Sequence, residues 1–102
     1  MCFNRRNEFR TNGNKESRGH PAYIYQKVGD SYKFIGITHS PITHKVRNIK
    51  LDKNPNPNDP EDSYARPKPG VGKIKRFGKK KKGWKLSKSD KKKMREIAKK
   101  AK

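Results

Sequence analysis

The clearest alternation of apolar and polar positions lies between residues 22 and 38. Two runs rich in β-branched and aromatic residues, AYIYQKV and SYKFIGIT, flank the dipeptide Gly29-Asp30. A two-residue loop that starts with glycine is typical of a type II′ turn, because glycine readily adopts the positive φ that the turn requires. The pattern therefore predicts a β-hairpin over about residues 22–38.

A loop at Gly29-Asp30 also predicts the register of the hairpin, with Val28 facing Ser31 and Tyr25 facing Phe34. One face is then aliphatic and the other aromatic. The aliphatic face contains Ala22, Ile24, Ile35 and Ile37, and the aromatic face contains Tyr23, Tyr25, Tyr32 and Phe34 beside Lys27. Two interpretations of the aromatic face are open: a platform for single-stranded RNA, or the second half of the core beneath a C-terminal helix.

The middle of the chain predicts short extended segments around a loop. Pro41 ends the hairpin, and ITHKVRNIKLD supplies a third short strand in one of two registers, with either Ile49 or Val46 on its apolar side. Residues 53–62, KNPNPNDPED, form a loop because prolines and asparagines exclude regular structure. Residues 63–67, SYARP, predict one more extended segment, since a residue before proline favours β geometry.

The two ends of the chain differ in pattern. Residues 87–102 predict a basic helix with a narrow apolar stripe that includes Met94 and Ile97. Ser87 and Asp90 have the spacing of a capping box, and Ser89 is the alternative cap. Residues 1–19 are polar without a sustained period, which predicts a flexible arm or a loosely docked lead-in. The fold class is therefore α+β: a small antiparallel sheet built on the hairpin in residues 20–86, followed by the helix.

Charge narrows the choice of partner. The 102 residues carry 29 Lys and Arg against 9 Asp and Glu, a net charge of +20, and only 27% are hydrophobic. Residues 66–102 contain 18 basic and two acidic residues, a net +16, which leaves +4 for residues 1–65. Such a surface predicts a polyanionic partner, because each neutralised phosphate releases counterions. Among nucleic acids, RNA is expected more than DNA. The alternatives to a nucleic-acid partner are that the basic residues form a solubilising tail or that they bind an anionic membrane surface.

The expected nucleic-acid contacts are the lysines of the basic tract and one aromatic residue. They are Lys79, Lys80, Lys81, Lys82, Trp84, Lys85, Lys91, Lys92 and Lys93. Trp84 has two possible roles: stacking on an unpaired base, or packing of the final helix onto the sheet.

Compartment and cofactor follow from what the sequence lacks. No apolar run reaches the ~18 residues of a membrane span, and the N-terminus has no apolar signal segment, so a cytoplasmic protein is expected. Cys2 is the single cysteine and has no partner for an intramolecular disulfide. Scattered histidines do not have zinc-ligand spacing, so no metal or cofactor is predicted.

Catalytic candidates lie where the hairpin opens. His20 precedes the first strand, and Thr38 and His39 end the second. A metal-independent ribonuclease needs a base with a near-neutral pKa, a cation for the charged phosphorane and a donor to the leaving oxygen. His20 or His39 would be the base, Arg66 or Arg47 the cation, and Thr38 or Tyr64 the donor. The alternative is that these histidines are ordinary surface residues.

One stretch resembles a known group of enzymes. GHPAYIYQKVGDSYKFIGITHSPIT, followed by YARP and a basic tail with tryptophan, resembles the small RNases of the barnase–EndoU–colicin–RelE type, including their phage-associated branch; the resemblance covers roughly Gly19 to Leu86. It implies a curved antiparallel sheet, RNA cleavage without a metal, and a site at His20, Thr38, His39 and Arg66. It also implies a toxin of a mobile element, whose partner would be an acidic antitoxin or immunity protein.

Three alternative functions are therefore expected, in order of preference. The first is an RNA-binding protein with metal-independent endoribonuclease activity of toxin type. The second is a non-catalytic module that binds RNA, DNA or the ribosome. The third is a phage or mobile-element protein whose basic tail binds an acidic host protein.

Overall fold

The computed structural model describes residues 4–12 and 20–100. Short strands dominate it, and one helix follows them near the C-terminus. The strands are β1 (Asn4–Asn12), β2 (His20–Val28), β3 (Ser31–Thr38), β4 (Ile42–Thr43), β5 (Val46–Arg47), β6 (Ile49–Lys50), β7 (Tyr64–Ala65), β8 (Gly70–Lys73) and β9 (Phe77–Lys80), and the helix is α1 (Lys88–Lys100). The predicted α+β fold is confirmed.

The main sheet is antiparallel and curls on itself. Its order is β6-β7-β3-β2-β1-β9, and β8 also pairs with β3. A single 3-10 turn, Ile74–Arg76, joins β8 beside β3 to β9 beside β1. The Phe77 ring then lies 5.3 Å from the rings of both Tyr32 and Phe34 on β3. Strands β8, β3, β2, β1 and β9 therefore form a small, partly open barrel.

The predicted hairpin is present, but its predicted register is wrong beyond the first pairs. Gly29 has a φ of 60°, and Val28 pairs with Ser31 as expected. Ile24, not Tyr25, pairs with Phe34, because a bulge between Ile24 and Gln26 leaves Tyr25 as an extra residue. An extra residue in one strand reverses the facing of everything beyond it.

The bulge mixes the faces that the sequence seemed to separate. The barrel interior contains Ala22, Ile24 and Tyr32, with Phe34, Ile74 and Phe77 packed against them. The second core, which we call the outer core, lies between the outer face of the sheet and the helix. It comprises Phe9, Tyr23, Ile35, Ile37, Leu51, Ala65, Leu86, Met94 and Ile97. Both cores hold aromatic and aliphatic side chains. Tyr23, Tyr32 and Phe34 are therefore packed in the cores, as in the second interpretation of the aromatic face, whereas Tyr25 packs against the core on one side and stays partly exposed.

Part of the segment predicted as a flexible arm is a strand. Residues 4–12 form β1, which pairs with β2 on one side and β9 on the other. Phe9 explains this position, because it is 2% exposed and its ring lies 5.2 Å from Tyr23 and 5.6 Å from Trp84. The rest of the predicted arm, residues 1–3 and 13–19, lies outside the described residues.

The middle segments follow the prediction in part. The expected third strand is divided into the hairpin β4–β5 and strand β6, while the expected extended segment at SYARP contains β7. Residues 53–62 contain no strand or helix. Their side chains form local turns instead: Asn54, Asn56 and Asp59 each accept a hydrogen bond from the backbone N–H two residues later.

The helix begins at Lys88, and Ser87 is its cap. The Ser87 hydroxyl accepts a hydrogen bond from the Asp90 backbone N–H at 3.2 Å. The Asp90 carboxylate is 0% exposed and accepts hydrogen bonds from the backbone N–H groups of Asp52 at 2.8 Å and Lys53 at 3.1 Å. This buried carboxylate fixes the start of α1 to the loop. Among the described residues, no helix has the length and apolarity needed to cross a membrane.

Candidate nucleic-acid interface

The residues predicted as a catalytic site are held by separate sets of contacts. His20 is exposed and pairs across the sheet with Asn12 of β1. The β2–β3 ladder ends at Ala22 and Gly36, so His20 and Thr38 are not cross-strand partners. Thr38 instead pairs with Tyr64 of β7.

His39 lies in an acidic cluster. Its Nε2 is 2.8 Å from Asp59 Oδ2 and 3.6 Å from Glu61 Oε2, and its side chain is 53% exposed. The Glu61 backbone N–H and the His39 ring lower the pKa of Asp59 below its ordinary value. The ligand atoms of these three residues lie within 4.8 Å of one another, a spacing that suits an ion-pair cluster and also metal ligation. Sequence reasoning missed this cluster because its carboxylates are 20 or more residues from His39.

Arg66 has a structural role at the sheet edge. Its Nη1 donates to Asn48 Oδ1 at 2.8 Å, and Asn48 is 6% exposed. Asn48 Nδ2 in turn donates to the Ser40 carbonyl and to Thr43 Oγ1, both at 2.9 Å. Arg66 therefore ties β7 to the base of the β4–β5 hairpin, while the alternative cation, Arg47, is exposed on β5.

The predicted nucleic-acid contacts divide into exposed and engaged residues. Six of the lysines are exposed: Lys79, Lys80, Lys82, Lys85, Lys91 and Lys92. Lys81 Nζ lies 5.7 Å from the centroid of the Trp84 ring, and that ring packs against Phe9 in the outer core. Trp84 therefore has the packing role of the two considered.

Lys93 is engaged in the anchor of the helix. Its Nζ donates to the Lys50 carbonyl at 2.9 Å and lies 3.1 Å from Asp52 Oδ1 and 3.6 Å from Asp90 Oδ1. These carboxylates raise the pKa of Lys93, while Ser89 and Lys93 lower that of Asp52. A phosphate would have to compete with two carboxylates for this ammonium group.

An open groove of about 800 Å³ lies between α1 and the outer face of the sheet. We call it the basic groove, because five cations line it: Arg6, Lys33, Lys91, Arg95 and Lys99. No carboxylate is among its lining residues in the described part of the chain. Tyr25 and Gln26 are on its floor, and Val71 of β8 is on its wall.

The helix supplies three of these cations through its periodicity. Lys91, Arg95 and Lys99 are spaced four residues apart, so they follow one face of α1 in steps of about 6 Å. Met94 and Ala98 lie on the same side of the helix and also line the groove. The apolar stripe that fixes α1 to the sheet therefore also aims these three cations along the groove.

Two adjacent strand irregularities supply the floor. In the β1–β2 ladder Arg5 pairs with Gln26 and Glu8 pairs with Ile24, so Arg6 and Asn7 stand opposite Tyr25. The bulge in β2 lies at the same level, and Arg6, Asn7, Tyr25 and Gln26 all line the groove. Bulges are typical of positions where a strand redirects side chains.

The tyrosines at the floor are in different situations. The Tyr23 hydroxyl donates to Asn7 Oδ1 at 3.0 Å. Burial raises the pKa of Tyr23, and the charge of Arg95 opposes that rise. Burial also raises the pKa of Tyr25, but among the described residues Tyr25 makes no side-chain hydrogen bond and no aromatic pair.

The carboxylates of the described residues lie outside the groove, and most of them are paired. Glu8 contacts Arg6 and Arg10, Asp30 contacts Lys73, Asp52 contacts Lys93, and Asp62 contacts Lys50. Arg6 is thus shared between the groove and Glu8, at 3.5 Å. In the described part of the chain, Lys33, Lys91, Arg95 and Lys99 take part in no ion pair. The groove therefore concentrates positive charge that the protein does not neutralise itself.

Only part of this site had a signal in the sequence. Lys91 was among the expected contacts, and its spacing from Arg95 and Lys99 was visible in the helix. Arg6 and Lys33 join them only because β1 and β3 are brought beneath the helix, which required the topology.

Comparison with known proteins gives no relative: no family model matches the chain, and neither the curated proteins nor the solved structures searched show a match. The resemblance to small RNases therefore stays a prediction.

Proposed function

We propose that this protein binds nucleic acid by holding a phosphate backbone in the basic groove. The observation that carries the proposal is a groove that, among the described residues, is lined by five cations and no carboxylate. Cations that lack an intramolecular partner can each take a phosphate and release its counterions, which is the main source of affinity for a polyanion. The net charge of +20 adds long-range attraction to the same partner.

RNA is the expected polymer. Gln26 lies on the groove floor, and its amide makes no side-chain hydrogen bond among the described residues. An amide can donate to and accept from a ribose 2′-hydroxyl, the group that distinguishes RNA from DNA. An RNA oligonucleotide should therefore bind more tightly than DNA of the same sequence, and equal or tighter binding of DNA would overturn this preference.

The groove is tested by removing its helix charges together. In the variant Lys91→Gln/Arg95→Gln/Lys99→Gln, RNA affinity should fall roughly 10- to 100-fold, at about 0.5–1 kcal/mol for each exposed charge contact. The plot of log affinity against log salt should also become about 2 units shallower, because single strands contribute about 0.7 per phosphate contact. Fluorescence anisotropy of a labelled RNA oligonucleotide measures both quantities.

The same helix offers a matched control. Lys88, Lys92 and Lys100 are exposed and do not line the groove, so Lys88→Gln/Lys92→Gln/Lys100→Gln removes the same charge from helix positions outside the groove. We expect this control to lose several-fold less affinity. If both triple variants bind equally weakly, the charge is diffuse and the groove is not the site. If the unaltered protein does not retain RNA at low salt, nucleic-acid binding itself is wrong.

Endoribonuclease activity is a second candidate, and one contact favours it. Asp59 holds the His39 ring at 2.8 Å, and a carboxylate that orients a histidine is a common feature of acid–base sites. Two carboxylates at His39, however, repel an approaching phosphodiester. RNA incubated with excess protein and EDTA should therefore stay intact. Cleavage that His39→Ala abolishes would establish the enzyme instead.

A further inference from the structure

We infer that the basic groove takes an unpaired stretch of RNA, with one base stacked on the Tyr25 ring. This inference rests on the proposed function and specifies the form of nucleic acid that the groove accepts. Three features of the groove support it: the state of Tyr25, the apolar side chain of Val71 and the row of cations on the helix.

Tyr25 is the aromatic residue of the hairpin whose ring remains available. Tyr23 pairs with Phe9, and Tyr32 and Phe34 both pair with Phe77. Tyr25 has no such partner among the described residues, and it is only partly buried although it lies against the outer core. A ring that is fixed on one side and accessible on the other can stack on a base, whichever base it is.

Val71, which also lines the groove, adds an apolar surface to it. Val71 is 63% exposed and pairs with Lys33 across the β3–β8 ladder, so the two side chains share a face. The phosphate ligands and the apolar contacts therefore stand side by side. A single strand offers both kinds of group, because its phosphates follow one edge and its bases project from the other.

A duplex would use only half of these contacts. Its bases are paired and stacked on one another, so Tyr25 could reach none without disrupting the helix.

The experiment compares one RNA oligonucleotide alone and annealed to its complement, using the unaltered protein, Tyr25→Phe and Tyr25→Leu. The single strand should bind more tightly than the duplex. Tyr25→Phe should retain this affinity, whereas Tyr25→Leu should lose about 5- to 150-fold, the equivalent of one stacked base at 1–3 kcal/mol. Binding of the duplex and of inorganic polyphosphate should change little in either variant, because neither probe offers an unpaired base.

The outcomes separate this inference from the proposed function. Equal affinity for single strand and duplex, or a Tyr25→Leu variant that binds the single strand normally, would overturn the stacking model. If the triple variant of the helix still weakens binding in that case, backbone binding in the groove stands alone. Loss of polyphosphate binding in Tyr25→Leu would point to a damaged groove, and the retained affinity of Tyr25→Phe for the single strand then decides whether the ring is required.

Discussion

Lys91 and Lys93 are two residues apart on α1, so they lie on opposite sides of the helix. Lys93 lies on what we call the anchored side of the helix, with Ser87 and Asp90, and it contacts two carboxylates and a backbone carbonyl. Lys91 lies on the groove side with Arg95 and Lys99, and no carboxylate in the described part of the chain lines that side. The same residue type is therefore a structural ion pair in one place and an available cation in the other.

The comparison shows that the positions of the few carboxylates determine which lysines and arginines form ion pairs and which stay available to a ligand. Asp52 and Asp90 stand where the start of α1 meets the loop, and they fix the helix there. With the helix fixed at that end, its other face is held beside the sheet without needing acids of its own. A charge count along the sequence gives the total but not this division.

The largest effect on stability should follow removal of the Asp90 carboxylate from the anchored side of the helix. Asp90→Ala leaves the backbone N–H groups of Asp52 and Lys53 without their buried acceptor, so the free energy of unfolding should fall by about 2–4 kcal/mol. Urea titration followed by Trp84 fluorescence measures the loss. Glu96→Ala, which removes an exposed carboxylate from the same helix, is the control. Equal stability of the two variants would show that the hydrogen bonds of the Asp90 carboxylate do not hold the helix.

A smaller effect should separate the two sides directly. Lys93→Gln should cost about 0.5–1 kcal/mol of stability and leave RNA affinity nearly unchanged. Lys91→Gln should do the reverse, lowering affinity several-fold with no measurable loss of stability. Urea denaturation measures the stability of both variants, and fluorescence anisotropy measures their RNA affinity, so the two measurements together test these opposite effects. Similar losses of affinity in both would remove the distinction between the sides.

The smallest effect concerns pH and the Asp52–Lys93 pair. The pKa of Asp52 is lowered in the folded protein, first by the Ser89 hydroxyl and then by Lys93. Its stabilising contribution is thus present above the unfolded pKa of about 4 and is lost as the pH falls through the lower folded pKa. The pKa of Lys93 is raised, so its contribution is lost only as the pH rises through the folded value, above about 10.4.

Asp52→Asn tests both limits at once. The urea midpoint of the unaltered protein should exceed that of Asp52→Asn between about pH 5 and 10 and approach it towards either extreme. Asp30 and Asp59 also have lowered pKa values, but they are common to both proteins and cancel in the difference. A difference that is constant from pH 2 to 11 would contradict the ion pair.

The features that the sequence predicts correctly depend on local chemistry. Gly29 specifies the tight turn, and Ser87 caps the helix, because each acts within a few residues. Strand β1 could not be predicted in this way, since Phe9 has no periodic apolar neighbours and is buried by residues far along the chain. The bulge at Tyr25 had no local marker either, and it decided which face each hairpin residue occupies.

The candidate sites show the same division. The lysines of α1 could be foreseen as a row because helical spacing is regular. The proposed catalytic group assumed that the ladder continues to His20 and Thr38, but it ends at Ala22 and Gly36. His39 and Arg66 found partners, Asp59 and Asn48, in segments whose path no periodicity determines.

The bulge in β2 means that this strand can lose one residue without changing how the others face. Deleting Tyr25 would leave Ile24 paired with Phe34 and Gln26 paired with Lys33, now as consecutive pairs of a regular ladder. Ala22 and Ile24 would stay inside the barrel and Tyr23 would stay outside it. The deletion should therefore remove the Tyr25 ring from the groove while leaving the barrel core in place.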